Sequence, residues 1–236
     1  MVQTPQSEIQ NKILAALPAK EYARLAPHLE LVSLPLGQIL HKPEDRIKYV
    51  YFPNSGVVSF VAHMKEGASI EVGLTGGEGL VGLPILFGDD VAQNEAIVQI
   101  ADGGMRMKAS VLTEELKRDG ELKPLLMRYA LSLMKQVAQT AACNRNHHVA
   151  QRLARWLLTC HDRVNGDELK LTQEFIGEML GTRRSGVNES AVLLQDRGLI
   201  RYSRGKIKVL DRAGLEKFAC ECYATVKIAS DRLLGK

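Results

Sequence analysis

The segment LTQEFIGEMLGTRRSGVNESAVLLQDRGLI, residues 171–200, holds two short amphipathic helical patterns separated by a glycine. Thr172 precedes the first pattern as a candidate N-cap, and Gly181 ends it because glycine adopts positive φ at low cost. The second pattern opens with two adjacent arginines and has one apolar face, formed by Val187, Ala191 and Leu194. Two helices joined by such a short turn indicate a helix-turn-helix motif.

The exposed side chains of the second helix are of the types that read bases in the major groove. Arginine binds guanine in a bidentate manner, asparagine binds adenine, and glutamate accepts from cytosine. A helix N-terminus also favours phosphate oxygens. We therefore predict DNA contacts from the two helices and their turn, at Thr172, Gln173, Thr182, Arg183, Arg184, Ser185, Asn188 and Glu189.

The following stretch, LIRYSRGKIKVL at 199–210, predicts two short strands around an SRGK turn. It would form a basic wing beside the helices, with Arg204 and Lys206, and also Arg201 and Lys208, near flanking phosphates. The alternative is a helical hairpin and strand pair with no role in DNA binding.

Upstream, the hydrophobic period changes several times. Short helical patterns at 7–29 give way to apolar–polar alternation between glycine-rich turns, which predicts an antiparallel sandwich or barrel. After residue 110 the pattern is helical again. One row of side chains in this helical region has a spacing of 4, 3, 4 and 3 residues: Leu126, Ala130, Leu133, Val137 and Thr140. Such a row is typical of a seam between two helices in a dimer, and the alternative is a single helix that packs on its own domain.

Composition and charge agree with a DNA-binding C-terminal part. Residues 1–146 carry 15 basic and 16 acidic side chains, whereas residues 147–236 carry 16 and 11. Positive charge confined to one end suggests that this end meets a polyanion. The sequence contains no signal-peptide pattern and no apolar run of membrane-spanning length, so we expect a cytoplasmic protein with no membrane contact.

The pattern T-x-x-x-I-G-x-x-L-G, followed by arginine, valine and a terminal GLI, resembles the winged helix-turn-helix of the cyclic-AMP receptor / fumarate-nitrate-reduction (CRP/FNR) family of bacterial regulators. The resemblance is strongest over 171–211. It implies an α+β fold with an N-terminal antiparallel β-roll (a cyclic-nucleotide-binding-like jelly roll) at 1–118, a long dimerisation helix at 119–146 and the DNA-binding domain at 147–236.

The same resemblance implies a homodimer that binds double-stranded DNA at a two-fold symmetric operator, with RNA polymerase as a further partner. Arg184 matches the principal base-reading arginine of the cyclic-AMP-responsive members. Ser185 stands where those members commonly have glutamate, and Glu189 stands where they have arginine. We therefore expect a different operator sequence.

The effector is unknown from the sequence. Nucleotide-binding relatives use a glutamate just after a glycine and an Arg-Ser pair about ten residues later, and the arginine neutralises phosphate. Here Leu83 follows Gly82 and precedes Pro84, and the Arg-Ser position falls on Asn94-Glu95, or on Gln93-Asn94 with a one-residue slip. We expect no tight binding of cyclic AMP or cyclic GMP. The apolar side chains at 81–87 would then simply fill the β-roll.

Other sensor chemistries find little support, and we expect no cofactor and no metal. An iron–sulfur sensor needs cysteines near the N-terminus, and none precedes Cys143. His28, His41 and His63 are scattered and give no basis for a haem ligand. Cys220 and Cys222 alone make an incomplete zinc site, so a packed or exposed structural pair is expected. For His147-His148 we expect a hinge or helix-cap role.

Two other function classes are disfavoured by the sequence. A cupin-like jelly-roll metalloenzyme with a helical accessory domain needs two or three histidines and a carboxylate converging in the barrel. The β-patterned region has no His-x-His pair and no evident nucleophile–base set, so we expect no enzymatic activity. A cyclic-nucleotide-gated interaction module without DNA binding does not account for the basic helix-turn-helix and wing.

Overall fold

The computed structural model describes residues 4–235. Its helices are α1 (Lys12–Ala15), α2 (Ala19–Leu25), α3 (Ala109–Leu116), α4 (Leu122–Asn146), α5 (Val149–His161), α6 (Gln173–Leu180), α7 (Arg184–Asp196), α8 (Arg212–Phe218) and α9 (Cys222–Leu234). Its strands are β1 (Glu30–Leu34), β2 (Ile39–His41), β3 (Tyr49–Pro53), β4 (Val57–His63), β5 (Ser69–Thr75), β6 (Glu95–Ile100), β7 (Asp102–Lys108), β8 (Glu168–Lys170), β9 (Ile200–Ser203) and β10 (Lys206–Val209).

The N-terminal strands form a β-roll of two sheets, with strand orders β1-β7-β3 and β2-β6-β4-β5. Strand β7 pairs antiparallel with both β1 and β3, and β2 pairs antiparallel with β6. The predicted α+β fold, with an N-terminal β-roll, a long helix and a C-terminal winged helix-turn-helix, is confirmed.

The chain divides into two compact units. Among the described residues, the first comprises 4–60, 74–133 and 232–235, and the second comprises 61–73 and 134–231. The domain boundaries expected from the sequence, after residues 118 and 146, stay a prediction. Helix α4 begins in the first unit and ends in the second. No helix in the described part of the chain has the length and apolar character needed to cross a membrane.

The core of the first unit joins the roll to the short N-terminal helices. Leu14, Leu25, Phe52, Met107 and Leu126 are among its fully buried side chains. The short helical patterns predicted at 7–29 correspond to α1, α2 and two 3-10 helices, Gln6–Glu8 and Ala26–His28. Asn11 caps α1 by accepting from the backbone N–H groups of Ile13 and Leu14. Its own amide donates to the carbonyls of Pro53 and Gly79, at 2.9 Å each, and so fixes the helix on the roll.

The glycine-rich segment after β5 leads into a short 3-10 helix, Leu83–Phe87. Gly82 has a φ of 106°, which only glycine adopts easily. Val81 and Ile85 are buried, and Leu83 and Leu86 pack on the core. Phe87 is 66% exposed, so the expectation that these apolar residues fill the roll is wrong for this one.

Helix α4 carries two apolar rows that are offset by one residue. Leu126 and Ala130 of the predicted seam are buried in the first unit, with Leu133 packed against the same core. Thr140 is buried in the second unit. These side chains of the predicted row therefore already pack within the single chain, and only Val137 of that row is exposed. The offset row is exposed and consists of Met127, Leu131, Met134 and Ala138.

The second unit is built around helix α5. Residues 152–160 of this helix are buried on every side, and Leu153, Trp156 and Leu157 are among them. This helix packs against α6, α7 and α8. Beside these helices, β8, β9 and β10 form a three-stranded antiparallel sheet in the order β8-β10-β9. Trp156 Nε1 also donates to Glu71 Oε1 at 3.0 Å, so the buried indole and carboxylate are paired.

Candidate nucleic-acid interface

Helices α6 and α7 form where the sequence predicts them, and both ends of α6 agree with the prediction. The side chain of Thr172 accepts a hydrogen bond from the backbone N–H of Phe175 at 3.2 Å, so it is the N-cap of α6. Gly181 ends α6 with a φ of 58°. Thr182 and Arg183 form the turn, and Arg184 is the first residue of α7. One face of α7 is buried through Val187, Ala191 and Leu194.

The close approach of the turn to α6 depends on a second glycine. A Cβ atom added at Gly177 would lie 2.9 Å from the backbone oxygen of Thr182, closer than real Cβ contacts. The backbone N–H of Thr182 donates to the carbonyl of Gly177 at 2.8 Å. Gly177 therefore fixes the angle at which the chain leaves α6 and enters α7.

The first two turns of α7 present a polar surface. Arg183, Arg184, Ser185, Asn188 and Glu189 are all exposed. Gln173, the first residue of α6, donates to Asn188 Oδ1 at 3.0 Å and accepts from Arg184 Nε at 3.4 Å. These hydrogen bonds connect the two helices across their exposed side and hold the amide and guanidinium groups in a defined arrangement.

Arg184 has an acidic partner that the sequence pattern did not single out. Its Nη1 lies 3.0 Å from Glu174 Oε1, and both side chains are about two-thirds exposed. Tyr202 of β9 lies close to the same groups. Burial raises the pKa of Tyr202, and the positive charge of Arg184 acts in the opposite direction. Its hydroxyl donates to the carbonyl of Leu171 at 3.2 Å, which ties the sheet to the start of α6.

The wing, defined here as β9, β10 and the turn between them, has the predicted form. Its turn consists of Arg204, with a φ of 50°, and Gly205, with a φ of 76°. Arg204 is exposed at the tip. Lys206 is also exposed, and its Nζ lies 3.0 Å from Glu168 Oε1 on β8. Thr172, Arg184 and Arg204 line one open groove between the helices and the wing, together with Gln173, Glu174, Tyr202, Ser203 and Gly205.

The residues predicted to touch an effector lie in two separate elements of the β-roll. Gly82, Leu83 and Pro84 form the start of the 3-10 helix, where Leu83 packs on the apolar core. Asn94 precedes β6 and Glu95 is its first residue, and both are half-buried.

The late cysteines have the packed arrangement that was one of the two expected, and the structure adds neighbours to the pair. Cys220 and Cys222 are both buried, but they are not an isolated pair, because Cys143 and His147 lie beside them. These four residues are the group in the described chain whose side chains could hold a metal ion. His148 occupies the N-cap position of α5, as a helix-cap role requires, but its side chain makes no capping hydrogen bond. The signal that could have revealed the group is the Cys-x-x-x-His spacing at the end of α4.

Comparison with known proteins supports the helix-turn-helix arrangement of α6 and α7. The sequence profile of the Crp-like helix-turn-helix domain matches residues 151–218. Comparison with curated proteins gives no match. Among solved structures, the chain is similar to FixK2 from Bradyrhizobium japonicum at a TM-score of 0.70 and 16% identity, covering 81% of this chain and 98% of that one.

Two further structures show the same similarity. A CRP-family transcriptional regulator from Thermus thermophilus, TTHB099, matches at a TM-score of 0.66 and 19% identity, over 80% of this chain and 96% of that one. CLP from Xanthomonas campestris, a regulator responsive to cyclic di-GMP, matches at a TM-score of 0.62 and 18% identity, over 81% of this chain and 99% of that one. Residues 151–218 of this chain therefore form a Crp-like helix-turn-helix domain, and the chain has the fold of the CRP/FNR transcription regulators.

Proposed function

We propose that the chain is a transcription regulator that binds double-stranded DNA in a sequence-specific manner, as a homodimer on a two-fold symmetric operator. The observation that carries the proposal is the exposed surface formed by Arg183 of the turn and by Arg184, Ser185, Asn188 and Glu189 in the first half of α7, whose other face is buried. In helix-turn-helix proteins this part of the second helix meets base edges in the major groove.

Roles for individual residues follow from their chemistry and position. Arg184, with its planar guanidinium at the start of α7, is suited to bidentate contact with guanine. Asn188 lies one turn further along, where its amide is suited to adenine. Thr172, Gln173, Thr182 and Arg183 surround the helix N-termini, and Arg204 and Lys206 extend from the wing. These six groups are suited to phosphate contacts that set the register.

The homodimer is proposed to form through helix α4. The row of Met127, Leu131, Met134 and Ala138 has the alternating spacing of four and three residues that is typical of paired helices. Its three larger side chains are more than half exposed in the single chain. Burial of this row against a second copy would remove them from water. It replaces the seam predicted from the sequence, of which Val137 is the exposed member.

We further propose that the β-roll does not bind cyclic AMP or cyclic GMP tightly. Leu83 lies where nucleotide-binding relatives have a glutamate, and its side chain packs on the apolar core. Asn94 and Glu95 occupy the position of the phosphate-binding Arg-Ser pair. A phosphate there would lack its arginine and would meet a carboxylate. Titration calorimetry should show no binding of either nucleotide, and micromolar affinity would contradict this part of the proposal.

The DNA-binding proposal is tested by selection of genomic fragments with the purified full chain. The expected result is recovery of fragments that share one two-fold symmetric sequence, with half-sites about one helical turn apart. RNA polymerase recruitment or occlusion can then be measured by transcription from those fragments in vitro. Recovery of fragments without a common sequence, or of none, would contradict sequence-specific binding.

The cupin-like enzyme alternative gains no support from the roll. Such an enzyme needs several metal ligands inside the barrel. His41 Nε2 is 2.9 Å from the carbonyl of Tyr49, and His63 Nδ1 is 2.9 Å from the hydroxyl of Ser69, so each has a local partner. The metal-capable group found among the described residues lies in the second unit instead.

A further inference from the structure

Four side chains with metal-binding atoms converge at the end of helix α4. They are Cys143 on α4, His147 directly after it, Cys220 between α8 and α9, and Cys222 at the start of α9. One ligand atom from each lies within 4.8 Å of every other. We refer to these four residues as the Cys3His cluster. The DNA-binding proposal does not use them.

Local structure explains the convergence. Cys143 and His147 are four residues apart, and the backbone N–H of His147 donates to the carbonyl of Cys143 at 3.1 Å. The helical path therefore continues to His147 and places both side chains on one face. Cys220 and Cys222 flank the tight turn into α9, where the N–H of Tyr223 donates to the carbonyl of Cys220 at 3.1 Å.

Two of the six separations between the ligand atoms match a tetrahedral ion, and all six are within 4.8 Å. The Sγ atoms of Cys143 and Cys220 are 3.5 Å apart, and Cys222 Sγ is 3.6 Å from His147 Nδ1. A tetrahedral zinc ion, with Zn–S near 2.3 Å and Zn–N near 2.0 Å, separates its ligand atoms by roughly 3.4 to 3.8 Å. A disulfide would need the two sulfurs about 2.05 Å apart, so all four cysteines of the chain are free thiols.

The surroundings of the Cys3His cluster resemble the outer shell of a structural zinc site. His147 presents Nδ1 to the cluster, and its Nε2 lies 3.2 Å from Glu221 Oε2. A carboxylate on the second ring nitrogen orients a metal-binding histidine and raises its basicity. Gln139 Nε2 donates to Cys222 Sγ at 3.1 Å, which stabilises a thiolate. All three cysteines are buried, which matches a closed site.

Two buried arginines supply compensating charge. Arg152 and Arg155 are each more than 90% buried, and the Nε atom of each has no hydrogen-bond partner in the described chain. Burial lowers the pKa of Arg152, and negative charge at Cys143 and Cys220 opposes this effect. The positive charge of Arg155 also acts on Cys143 and favours its thiolate form. A zinc ion with three thiolates has a net charge of about −1, which nearby guanidinium groups stabilise.

We propose that Cys143, His147, Cys220 and Cys222 bind one Zn²⁺ ion in a closed structural site. The ion fastens the segment between α8 and α9 to the end of α4. Arg152 links the site to the proposed DNA-binding helices. It interacts electrostatically with Cys143 and Cys220, and it donates a hydrogen bond to the carbonyl of Leu180, the last residue of α6. Loss of the ion is therefore expected to loosen the helix-turn-helix unit as well as α9.

Metal content is the first test. The untagged full chain, purified under reducing conditions and analysed by inductively coupled plasma mass spectrometry, should contain about one zinc ion per chain. Cys143→Ser and Cys220→Ser should each lower the zinc content at least tenfold. Cys160→Ser is the matched control, since Cys160 is equally buried in α5 but outside the cluster, and it should retain zinc. Zinc below a tenth of one ion per wild-type chain, or iron with acid-labile sulfide in its place, would overturn the proposal.

A cobalt titration tests the site without substitutions, in case the serine variants do not fold. Metal-free wild-type chain titrated with Co²⁺ should develop thiolate-to-cobalt charge-transfer absorption and intense visible bands of tetrahedral cobalt, saturating near one equivalent. Equimolar Zn²⁺ should abolish them. Absence of these bands, or a Cys143–Cys220 disulfide in the alkylated, non-reduced protein as purified, would contradict a metal site.

Discussion

The guanidinium of Arg184 lies 3.0 Å from the carboxylate of Glu174, at the surface where α6 and α7 meet. The arginine predicted to read a base is therefore already paired within the free protein. To contact guanine it must exchange this carboxylate for a base edge, while its Nε can keep the hydrogen bond to Gln173. We therefore expect Glu174 to influence DNA affinity although it reads no base itself.

Glu174→Gln is expected to strengthen DNA binding by about threefold or more at low salt, since it removes the competing carboxylate and one negative charge near phosphates. Thermal stability should hardly change, because exposed ion pairs contribute little. The measurement is fluorescence anisotropy with a selected operator. Glu178→Gln, one turn along α6 and also exposed, controls for the charge change. Weaker binding by Glu174→Gln would mean that the carboxylate holds Arg184 in its reading position.

Arg204→Gly removes the charge at the tip of the wing without new backbone strain. Arg204 has a φ of 50°, a left-handed conformation that glycine adopts more easily. The free energy of unfolding should stay within about 1 kcal/mol of wild type. DNA affinity should fall by a similar factor on every sequence. The salt dependence should also weaken, with the magnitude of the slope of log association constant against log salt concentration smaller by about 1 per wing. A loss confined to certain operator sequences would instead assign Arg204 to base recognition.

Leu131→Glu tests the proposed dimer row on α4. Burial of an unpaired carboxylate in an apolar interface is costly, so the dimer dissociation constant should rise at least about tenfold. Analytical ultracentrifugation measures it directly. Leu210→Glu introduces the same charge at a similarly exposed leucine outside α4 and should leave association unchanged. Unaltered dimerisation of Leu131→Glu, or a wild-type chain that is monomeric at high concentration, would exclude this row.

The helix-turn-helix was predictable because its signals are local. Thr172 and Gly181 mark the ends of α6 within ten residues of each other, and the apolar spacing of α7 is contiguous. The exposure of Arg184 follows directly from that spacing. The pairing of Arg184 with Glu174 was missed, since it depends on the angle between two helices.

Two other features required the folded chain. Helix α4 has two apolar rows with the same spacing, offset by one residue, and only packing in the first unit determines which one is buried. The Cys3His cluster joins Cys143 to Cys220 across 77 residues, and no local pattern connects them. Cysteine counting alone therefore treated Cys220 and Cys222 as an incomplete pair.

The most direct test of the account compares Arg184→Ala with Arg197→Ala in titrations of a selected operator and of unrelated DNA at the same salt concentration. Both variants lose one exposed positive charge, at opposite ends of α7, and Arg197 is stacked on Phe218 instead of facing the groove. Arg184→Ala should lose about 1–3 kcal/mol of operator binding per recognition helix and keep most of its affinity for unrelated DNA. Arg197→Ala should bind the operator nearly as well as wild type. Equal operator affinity of Arg184→Ala and wild type would contradict the assignment of α7 as the base-reading helix.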